Sequence, residues 1–290
     1  MNKNRVLRAL LLVSAMLFLF MSSVSAEVFV SAEKPADWEQ RNLMRVTVLE
    51  TIYNDAIIIT QGGRTMMIDG GTRKFRKRIA KYLADNGLDH MDLYFNTHPH
   101  DDHLECVTNM ISLGQYFPEK AMTAFPETYR NSLHQKFLQK LKEKNIPLVL
   151  ISDGDEFTLA DMSFKVYRWP EGDDPNELSA VLLLRYGNAT MLLTGDLPGA
   201  GQKWLVQAYG DEIHADILKI PHHGLVLMPH EFLVTVNPAF AVFTSRAAST
   251  EACNKQLDNA KIPYMHHSRG TIILETDGTD WYITQTAGLV

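Results

Sequence analysis

The chain has 290 residues, of which 46% are hydrophobic and 21% charged, which is the composition of an ordinary globular protein. The formal net charge is −6 at pH 7, which excludes a global electrostatic attraction to nucleic acid phosphates but leaves room for local basic patches. The length suits one large domain.

The first residues have the composition of a targeting segment. Three basic residues precede an apolar run over residues 9–21, and small residues end the segment at Ala26. We therefore predict a signal peptide over 1–26, cleavage before Glu27, and one domain over 27–290 in a secreted or extracytoplasmic protein. Without its three basic residues the mature charge is 25 − 34 = −9. An uncleaved membrane anchor is the alternative, although the run is shorter than the about 20 residues of a typical span.

The first third of the domain alternates strand patterns with turn signals. A two-glycine turn lies between two apolar runs, and a helical pattern carries a threonine at its start and a glycine after its end. These patterns predict strands over 46–50, 56–60, 65–68 and 91–96, a hairpin turn over 61–64, and a helix over 72–86 capped by Thr72.

A histidine-rich hexad, residues 98–103, directly follows the strand predicted over 91–96. It reads His-Pro-His-Asp-Asp-His and so places three imidazoles and two carboxylates within six residues. Neutral imidazole and carboxylate are the groups that bind zinc and similar divalent ions. The hexad therefore predicts a metal site, with a helix beginning near Asp102 or His103.

The remainder of the chain continues to mix strands with helices. The predicted helices cover 127–144, 197–209 and 250–260, and the predicted strands cover 122–125, 147–151, 162–169, 178–186, 191–194, 217–220, 239–244, 271–275 and 281–284. Long strand runs interspersed with helices favour two sheets covered by helices.

The hexad resembles the signature of the metallo-β-lactamase superfamily. The resemblance implies an α+β fold, the superfamily's αββα sandwich, in which two mixed β-sheets are flanked by helices. It also implies that His98 and His100 bind one metal ion, and that Asp102 and His103 bind a second. Asp101 is expected to be solvated or to support its neighbours.

Two later segments match further parts of the superfamily pattern. Leu-Leu-Thr-Gly-Asp-Leu, residues 192–197, implies that Asp196 bridges the two metals. Pro-His-His-Gly, residues 221–224, supplies another ligand, for which we prefer His223 because neighbouring side chains leave an extended backbone in opposite directions. His222 would then face the substrate and donate either a hydrogen bond to phosphate or a proton. The reverse assignment, with His222 as the ligand and His223 facing the substrate, stays open.

Two positions are weak or supporting candidates. Asp69, after the strand over 65–68, resembles an early strand-end motif and would orient the ligand loop by accepting backbone hydrogen bonds, or form an ordinary Asp-Gly turn. Asn176 stands where many members have a histidine, which implies a weakly occupied first metal site. His266 or His267 could complete that site, or form a partly exposed surface pair.

Within the superfamily, the chain resembles the hydrolase domain of the ComEC family of competence proteins. Residues 176–179, 192–197 and 219–224 carry the resemblance, which extends over about 45–284. It implies a metal-dependent phosphodiesterase or nuclease whose substrate is nucleic acid or a cell-surface phosphodiester. A β-lactam or lactone hydrolase is the alternative chemistry, and a secreted binding module with a degraded metal site is the alternative from another class.

The ligand set implies two divalent metal ions, zinc or else manganese. A hydroxide bridging both ions would attack the substrate, with Asp102 and Asp196 orienting it and His222 stabilising the developing charge. Cys106 and Cys253 are interpreted as two small buried residues, with a disulfide as the alternative. The sequence leaves the oligomeric state open.

Overall fold

A computed structural model describes residues 26–88, 91–115 and 118–288. Apart from its last residue, Ala26, the predicted signal peptide lies outside these ranges, so that prediction stands as an expectation. Within the described ranges, no helix is both long and apolar enough to cross a membrane.

The described residues form sixteen strands, numbered in chain order. They are β1 (Val28–Val30), β2 (Met44–Val48), β3 (Ile57–Gln61), β4 (Arg64–Ile68), β5 (Met91–Asn96), β6 (Pro118–Thr123), β7 (Leu148–Leu150), β8 (Glu156–Leu159), β9 (Met162–Tyr167), β10 (Val181–Tyr186), β11 (Ala189–Leu193), β12 (Ile217–Lys219), β13 (Phe240–Phe243), β14 (Tyr264–His266), β15 (Ile272–Thr276) and β16 (Trp281–Gln285).

Six α-helices accompany the strands in the described ranges. They are α1 (Arg76–Asp85), α2 (Asp101–Ser112), α3 (Ser132–Glu143), α4 (Gly199–Tyr209), α5 (His230–Val236) and α6 (Glu251–Ala260).

The strands form two mixed sheets. The nine-stranded sheet has the order β1-β16-β15-β2-β3-β4-β5-β6-β7, and the seven-stranded sheet has the order β14-β13-β12-β11-β10-β9-β8. Strands β4 to β7 run parallel in the first sheet, as do β11 to β14 in the second. The carboxyl ends of parallel strands share one edge of a sheet, which is where loops can bring ligands together.

The hydrophobic core has three layers. The central layer lies between the sheets and contains side chains of both, such as Phe95 and Phe164. Helices α1, α2 and α3 bury side chains such as Ile79 and Phe137 against the outer face of the first sheet. Helices α4, α5 and α6 cover the second sheet with side chains such as Phe232. This arrangement confirms the predicted αββα sandwich of two mixed sheets with flanking helices.

The main strands and the two-glycine hairpin lie where the sequence predicts them. Gly62 and Gly63 have φ of +57° and +74°, which suits the tight turn that joins β3 to β4. The sequence did not indicate β1, β8 or β14, because segments of three or four residues carry too little periodicity to predict a strand.

Two predicted helix starts are wrong. Thr72 makes no capping hydrogen bond, and a single 3₁₀ turn over Arg73–Phe75 precedes α1. The Glu105 carboxylate accepts a hydrogen bond from the Arg73 amide at 3.0 Å, so a side chain from α2 satisfies the first backbone N–H of this segment.

Helix α3 begins at Ser132 and not at the predicted residue 127. The Asn131 side chain caps it by accepting a hydrogen bond from the amide of His134.

Candidate metal centre

Four loops that follow strands converge between the sheets. The hexad follows β5 and leads into α2, Asp69 follows β4, Asp196 follows β11, and the two adjacent histidines follow β12. Because these strands are parallel neighbours within their sheets, their carboxyl ends bring distant sequence segments to one place.

His103 and His223 meet the same oxygen atom of Asp196. The Nε2 atoms of both rings lie 3.3 Å from Asp196 Oδ2. Asp102 completes the group, with Oδ2 3.3 Å from His223 Nε2 and Oδ1 3.9 Å from His103 Nε2. The structure thus brings together the four residues that the sequence assigns to the second metal.

The opposite ring atoms of these histidines face other partners. His103 Nδ1 lies 2.7 Å from Asp69 Oδ2. His223 Nδ1 lies 2.9 Å from Thr244 Oγ1 and 3.3 Å from Asp55 Oδ1. A carboxylate at Nδ1 places the proton there and leaves the Nε2 lone pair free for a metal ion.

Several buried polar atoms at this point have no hydrogen-bond partner within the described part of the chain. They include His103 Nε2, His223 Nε2 and Asp196 Oδ1. Buried polar groups are normally paired, so unpaired nitrogen and oxygen atoms that converge on one point fit a bound cation. The imidazole and carboxylate donors suit zinc, and the carboxylates also suit manganese.

The first pair of hexad histidines lies beside the same oxygen atom of Asp196. His98 Nε2 lies 3.0 Å from His100 Nδ1 and 3.8 Å from Asp196 Oδ2. The Nδ1 atom of His98 is held by the hydroxyls of Thr97 and Ser179, each at 3.1 Å. These distances place three side chains where a first metal ion would bind.

Asp69 fastens the ligand loop to the sheet. Its carboxylate accepts hydrogen bonds from the Thr97 amide at 2.9 Å and the Thr97 hydroxyl at 2.6 Å. The Asn96 side chain adds a third at 3.1 Å. Asp69 therefore contacts both the start of the hexad loop and His103, but lies behind the ring that would carry the metal.

The backbone at the two adjacent histidines corrects the reasoning from sequence. Neither residue is extended: His222 has φ/ψ of 48°/46° and His223 has 55°/7°. The left-handed turn, and not strand alternation, separates their side chains. His223 is buried, whereas His222 is partly exposed and its Nε2 lies 3.9 Å from Asp196 Oδ2. This geometry favours His223 as the ligand.

Gly224 is required directly after this turn. It has φ of +83°, and a Cβ atom there would lie 2.4 Å from the ring of Phe243. Only glycine fits both the backbone conformation and the space, so Gly224 allows His223 to be packed into the buried site.

The charges at the site shift the pKa values of its histidine and aspartate side chains. Burial lowers the pKa of His223, but the Asp196 carboxylate and neighbouring acids outweigh it and raise that pKa to about 10. Burial is likewise outweighed at His103, where the carboxylates of Asp196 and Asp69 raise the pKa well above its ordinary value. Burial would raise the pKa of Asp196, yet the charges of His223 and His103 hold it well below the ordinary value.

His98 and His222 behave in the opposite way. Burial is the largest cause in both cases and lowers the pKa of each ring, by a larger amount at His98. Near neutral pH both rings are therefore neutral, which leaves His98 ready to bind a metal ion and His222 ready to donate a hydrogen bond.

The remaining sequence candidates are Asn176, His266 and His267. Asn176 has a buried side-chain oxygen without a hydrogen-bond partner in the described residues. His266 and His267 are not a partly exposed surface pair, because both are buried. His266 Nε2 lies 3.1 Å from Asn254 Oδ1, and His267 Nδ1 lies 3.4 Å from Thr51 Oγ1, whereas His267 Nε2 has no hydrogen-bond partner in the described residues.

The cysteines are separate. Cys106 is a free buried thiol on α2, and Cys253 is a free buried thiol on α6. They belong to outer layers on opposite sheets. The interpretation as two small buried residues is confirmed.

Two site residues were missed from the sequence. Asp55, just before β3, groups with His103, Asp196 and His223 closely enough to share a cation. Lys219, the last residue of β12, is 0% exposed and its Nζ lies 2.6 Å from Asp55 Oδ2. The available signal was a lysine inside the apolar run Ile217–Ile220, since a charge there needs a buried partner.

Most of the chain matches the model of a known protein family. The family model described as "Metallo-beta-lactamase superfamily" matches residues 51–266, well over half of the chain. The chain belongs to the metallo-beta-lactamase superfamily. Members of this superfamily are metal-dependent hydrolases, and residues 51–266 include the whole candidate metal centre.

Curated relatives support the ComEC-like resemblance. The chain is 26% identical to ComE operon protein 3 of Bacillus subtilis, over 64% of this chain and 26% of that protein. It is 26% identical to Competence protein ComA of Neisseria gonorrhoeae, over 72% and 28% respectively. The chain thus spans about a quarter of these competence proteins. It is also 29% identical to Hydroxyacylglutathione hydrolase of Blochmanniella pennsylvanica, over 69% of this chain and 70% of that enzyme.

Solved structures show the same fold at low sequence identity. The metallo-beta-lactamase fold protein YhfI from Bacillus subtilis aligns with a TM-score of 0.52 at 11% identity, over 77% of this chain and 96% of that one. The diiron β-hydroxylase CmlA from Streptomyces venezuelae aligns with a TM-score of 0.52 at 11% identity, over 84% and 54%. These likenesses support the sandwich architecture alone.

Proposed function

We propose that this chain is a secreted, metal-dependent phosphodiesterase or nuclease of the metallo-beta-lactamase superfamily. The observation that carries the proposal is the convergence of His103 Nε2 and His223 Nε2 on Asp196 Oδ2, each at 3.3 Å. This convergence supports a divalent cation held by Asp102, His103, Asp196 and His223, with a second cation held by His98, His100 and Asp196.

Bound at these positions, two divalent cations would supply an acidified water and would clamp the attacking and leaving oxygens of a displacement. Asp196 stands between the two ligand groups and would contribute to both. The Asp102 side chain is 29% exposed. Asp102 is therefore the most exposed of the four candidate ligands of the second metal ion. Asp102 and Asp196 would orient the attacking water by accepting its hydrogen bonds.

His222 is placed to act on substrate. Its ring is partly exposed and its Nε2 lies 3.9 Å from Asp196 Oδ2, so it lies beside the candidate ligands at the surface. The lowered pKa of the ring keeps it neutral at pH 7, and a neutral imidazole can donate a hydrogen bond to a phosphoryl oxygen. We assign His222 to stabilising the developing negative charge.

The substrate class rests on the ComEC-like pattern. The segments over 176–179, 192–197 and 219–224 contain the bridging aspartate, the two adjacent histidines and Ser179, whose hydroxyl supports His98. The two competence relatives match 64% and 72% of this chain. The proposal of a phosphodiester substrate follows from that likeness.

One observation favours a second candidate, an acyl hydrolase. The hydroxyacylglutathione hydrolase relative is matched over 70% of its length, so its likeness covers most of a whole enzyme. The same arrangement of two cations can activate water against a carbonyl carbon. A thioester or lactone would then be the substrate.

A substrate panel separates these functions. The purified chain from Glu27 onward, loaded with zinc or with manganese, is assayed with bis(p-nitrophenyl) phosphate, with single- and double-stranded DNA, with the thioester S-lactoylglutathione and with nitrocefin. We expect phosphodiester cleavage that chelation removes. Turnover of the thioester or nitrocefin with all three phosphodiester substrates untouched would overturn the proposal, and no turnover together with no bound metal would identify a binding module.

A separate measurement tests export. Expression of the full chain in a bacterial host, with N-terminal sequencing of the extracytoplasmic fraction, should yield protein that begins at Glu27. Full-length protein retained in the membrane would instead support an uncleaved anchor.

A further inference from the structure

A buried ion pair lies directly behind the candidate metal centre. Lys219 Nζ lies 2.6 Å from Asp55 Oδ2, and both side chains are almost completely buried. A buried ion pair is costly unless it is well paired, and removing one partner leaves an uncompensated charge. Its position beside the metal ligands, away from the ordinary apolar core, calls for a specific role.

Lys219 contacts two segments that form the metal centre. Besides Asp55, its ammonium donates to the Gly195 carbonyl at 2.8 Å and lies 3.7 Å from Asp196 Oδ1. The Asp55 amide in turn donates to the Asp102 carbonyl at 3.2 Å. Lys219 and Asp55 together therefore connect the turn of Asp196 with the start of α2, which carries Asp102 and His103.

Asp55 faces the side of His223 that points away from the other ligands. Its Oδ1 lies 3.3 Å from His223 Nδ1, whereas His223 Nε2 lies 3.3 Å from Asp102 and from Asp196. An imidazole that binds a metal through Nε2 carries its proton on Nδ1, where a carboxylate holds the ring in place. Asp69 has the matching position behind His103, with its Oδ2 2.7 Å from Nδ1.

Asp55 could also be a metal ligand, because its carboxylate lies close enough to His103, Asp196 and His223 for the four side chains to share one cation. Its Oδ2, however, is already engaged by the Lys219 ammonium, and its Oδ1, which has no hydrogen-bond partner in the described residues, lies 3.3 Å from His223 Nδ1, on the side of the ring away from the other ligands. A metal ion on Asp55 would lie next to the Lys219 ammonium and be repelled by it.

We propose that Asp55 and Lys219 are a positioning pair for the second metal ion: Lys219 holds Asp55, and Asp55 orients His223, without either side chain binding the metal. This inference rests on the proposed function only in requiring a metal ion at His223, and it does not depend on which substrate is hydrolysed.

The test measures zinc binding by calorimetry, and the ligand-field absorption of the cobalt-loaded protein, for D55N, K219M and the D55N/K219M double variant. We expect each single variant to lose about 10- to 100-fold in zinc affinity at the second site, with the stoichiometry unchanged at saturating zinc. The double variant removes both charges and should recover the thermal stability that the single variants lose, but not the zinc affinity.

Each alternative gives a different result. If Asp55 were a ligand, D55N would lose one metal equivalent and change the cobalt spectrum, while K219M would free the carboxylate and keep or raise affinity. If the pair only stabilised the fold, the double variant would regain affinity together with stability. Either result would overturn the proposal.

A control uses an ion pair elsewhere in which only the acid is buried. Arg45 pairs with Glu275 in the first sheet, with Nη2 2.6 Å from Oε1; the Glu275 side chain is buried and that of Arg45 is 40% exposed. R45M should leave zinc affinity unchanged, and an equal loss in R45M would make the effect a general consequence of removing the cation from a buried carboxylate. Metal binding is measured without substrate, so absence of phosphodiester cleavage with these affinity changes intact would reject the proposed function and keep the positioning role.

Discussion

His103 points its Nδ1 atom at Asp69 Oδ2 across 2.7 Å, and both side chains are fully buried. The contact fixes the ring so that Nε2 faces Asp196. Asp69 also receives the amide and hydroxyl of Thr97, so one carboxylate secures both the ring and the loop that precedes it. Residues in this supporting position commonly determine metal affinity without touching the metal.

Replacing Asp69 with Asn should therefore weaken metal binding without removing a ligand. An amide oxygen accepts hydrogen bonds more weakly than a carboxylate, and we expect zinc affinity at the second site to fall about 10- to 100-fold. Zinc titration calorimetry measures the change. Asp101, exposed within the same hexad, provides the control, and D101N should bind zinc as the unaltered protein does.

The two adjacent histidines should separate cleanly by substitution. H223A removes a buried candidate ligand and should lose metal from the second site. H222A should keep full metal content but lose about 100- to 1,000-fold in kcat, the usual effect of removing a group that stabilises developing negative charge. Metal analysis and steady-state kinetics on the same samples measure both. Loss of metal in H222A with retention in H223A would reverse the assignment.

Zinc binding should release protons and should strengthen as pH rises. In the folded metal-free protein, the pKa of His223 is raised to about 10 and that of His103 is also raised, so both rings are protonated at pH 7. A metal ion needs neutral rings, and about two protons should leave when the second site fills at pH 7. Calorimetry in buffers of different ionisation enthalpy counts them. Release of no protons would contradict these pKa directions.

The same shifts determine how stability depends on pH. The folded pKa of His223 lies above the unfolded value of about 6.5, so its charge stabilises the metal-free protein fully below about pH 6.5. That contribution is lost as pH rises through about 10. The increase in Tm on adding zinc should therefore grow between about pH 6 and pH 8.5, as scanning calorimetry would show. A zinc-induced increase in Tm that does not change with pH would contradict this link between the pKa of His223 and stability.

The two metal sites should have unequal affinity. The second site has four candidate ligands from the chain, whereas the first has His98, His100 and a shared Asp196. We expect two zinc-binding phases that differ about tenfold or more, which corresponds to about 1.4 kcal/mol. H98A should remove only the weaker phase. Two phases of equal affinity, or loss of the tighter phase in H98A, would contradict the asymmetry.

The layered fold and the convergence at the metal centre were predictable because each depends on local patterns. The hexad is continuous, and Asp196 and the two histidines each follow an apolar strand. Parallel strands end at a common edge, so strand-end residues from distant segments meet there. The choice of His223 over His222 was predicted from an extended backbone, but it depends on a left-handed turn that the Gly224 position permits.

The supporting ion pair was not predictable in the same way. Asp55 follows Asn54 at the end of a loop, and Asn-Asp in a loop ordinarily forms a turn. Lys219 lies within β12, and a lysine at a strand end is usually exposed. The burial of each charged side chain is explained only by the opposite charge of the other. Their 2.6 Å contact depends on how the two sheets pack. Sequence patterns along one strand carry no information on that packing.

The central claim is that Asp196 joins two metal-binding groups in a hydrolytic centre. The most direct test compares hydrolysis of bis(p-nitrophenyl) phosphate and bound zinc in the unaltered chain and in D196A. We expect chelator-sensitive hydrolysis with up to two zinc ions in the unaltered chain, and loss of both hydrolysis and tight zinc binding in D196A. Hydrolysis that persists in D196A with zinc removed would contradict it.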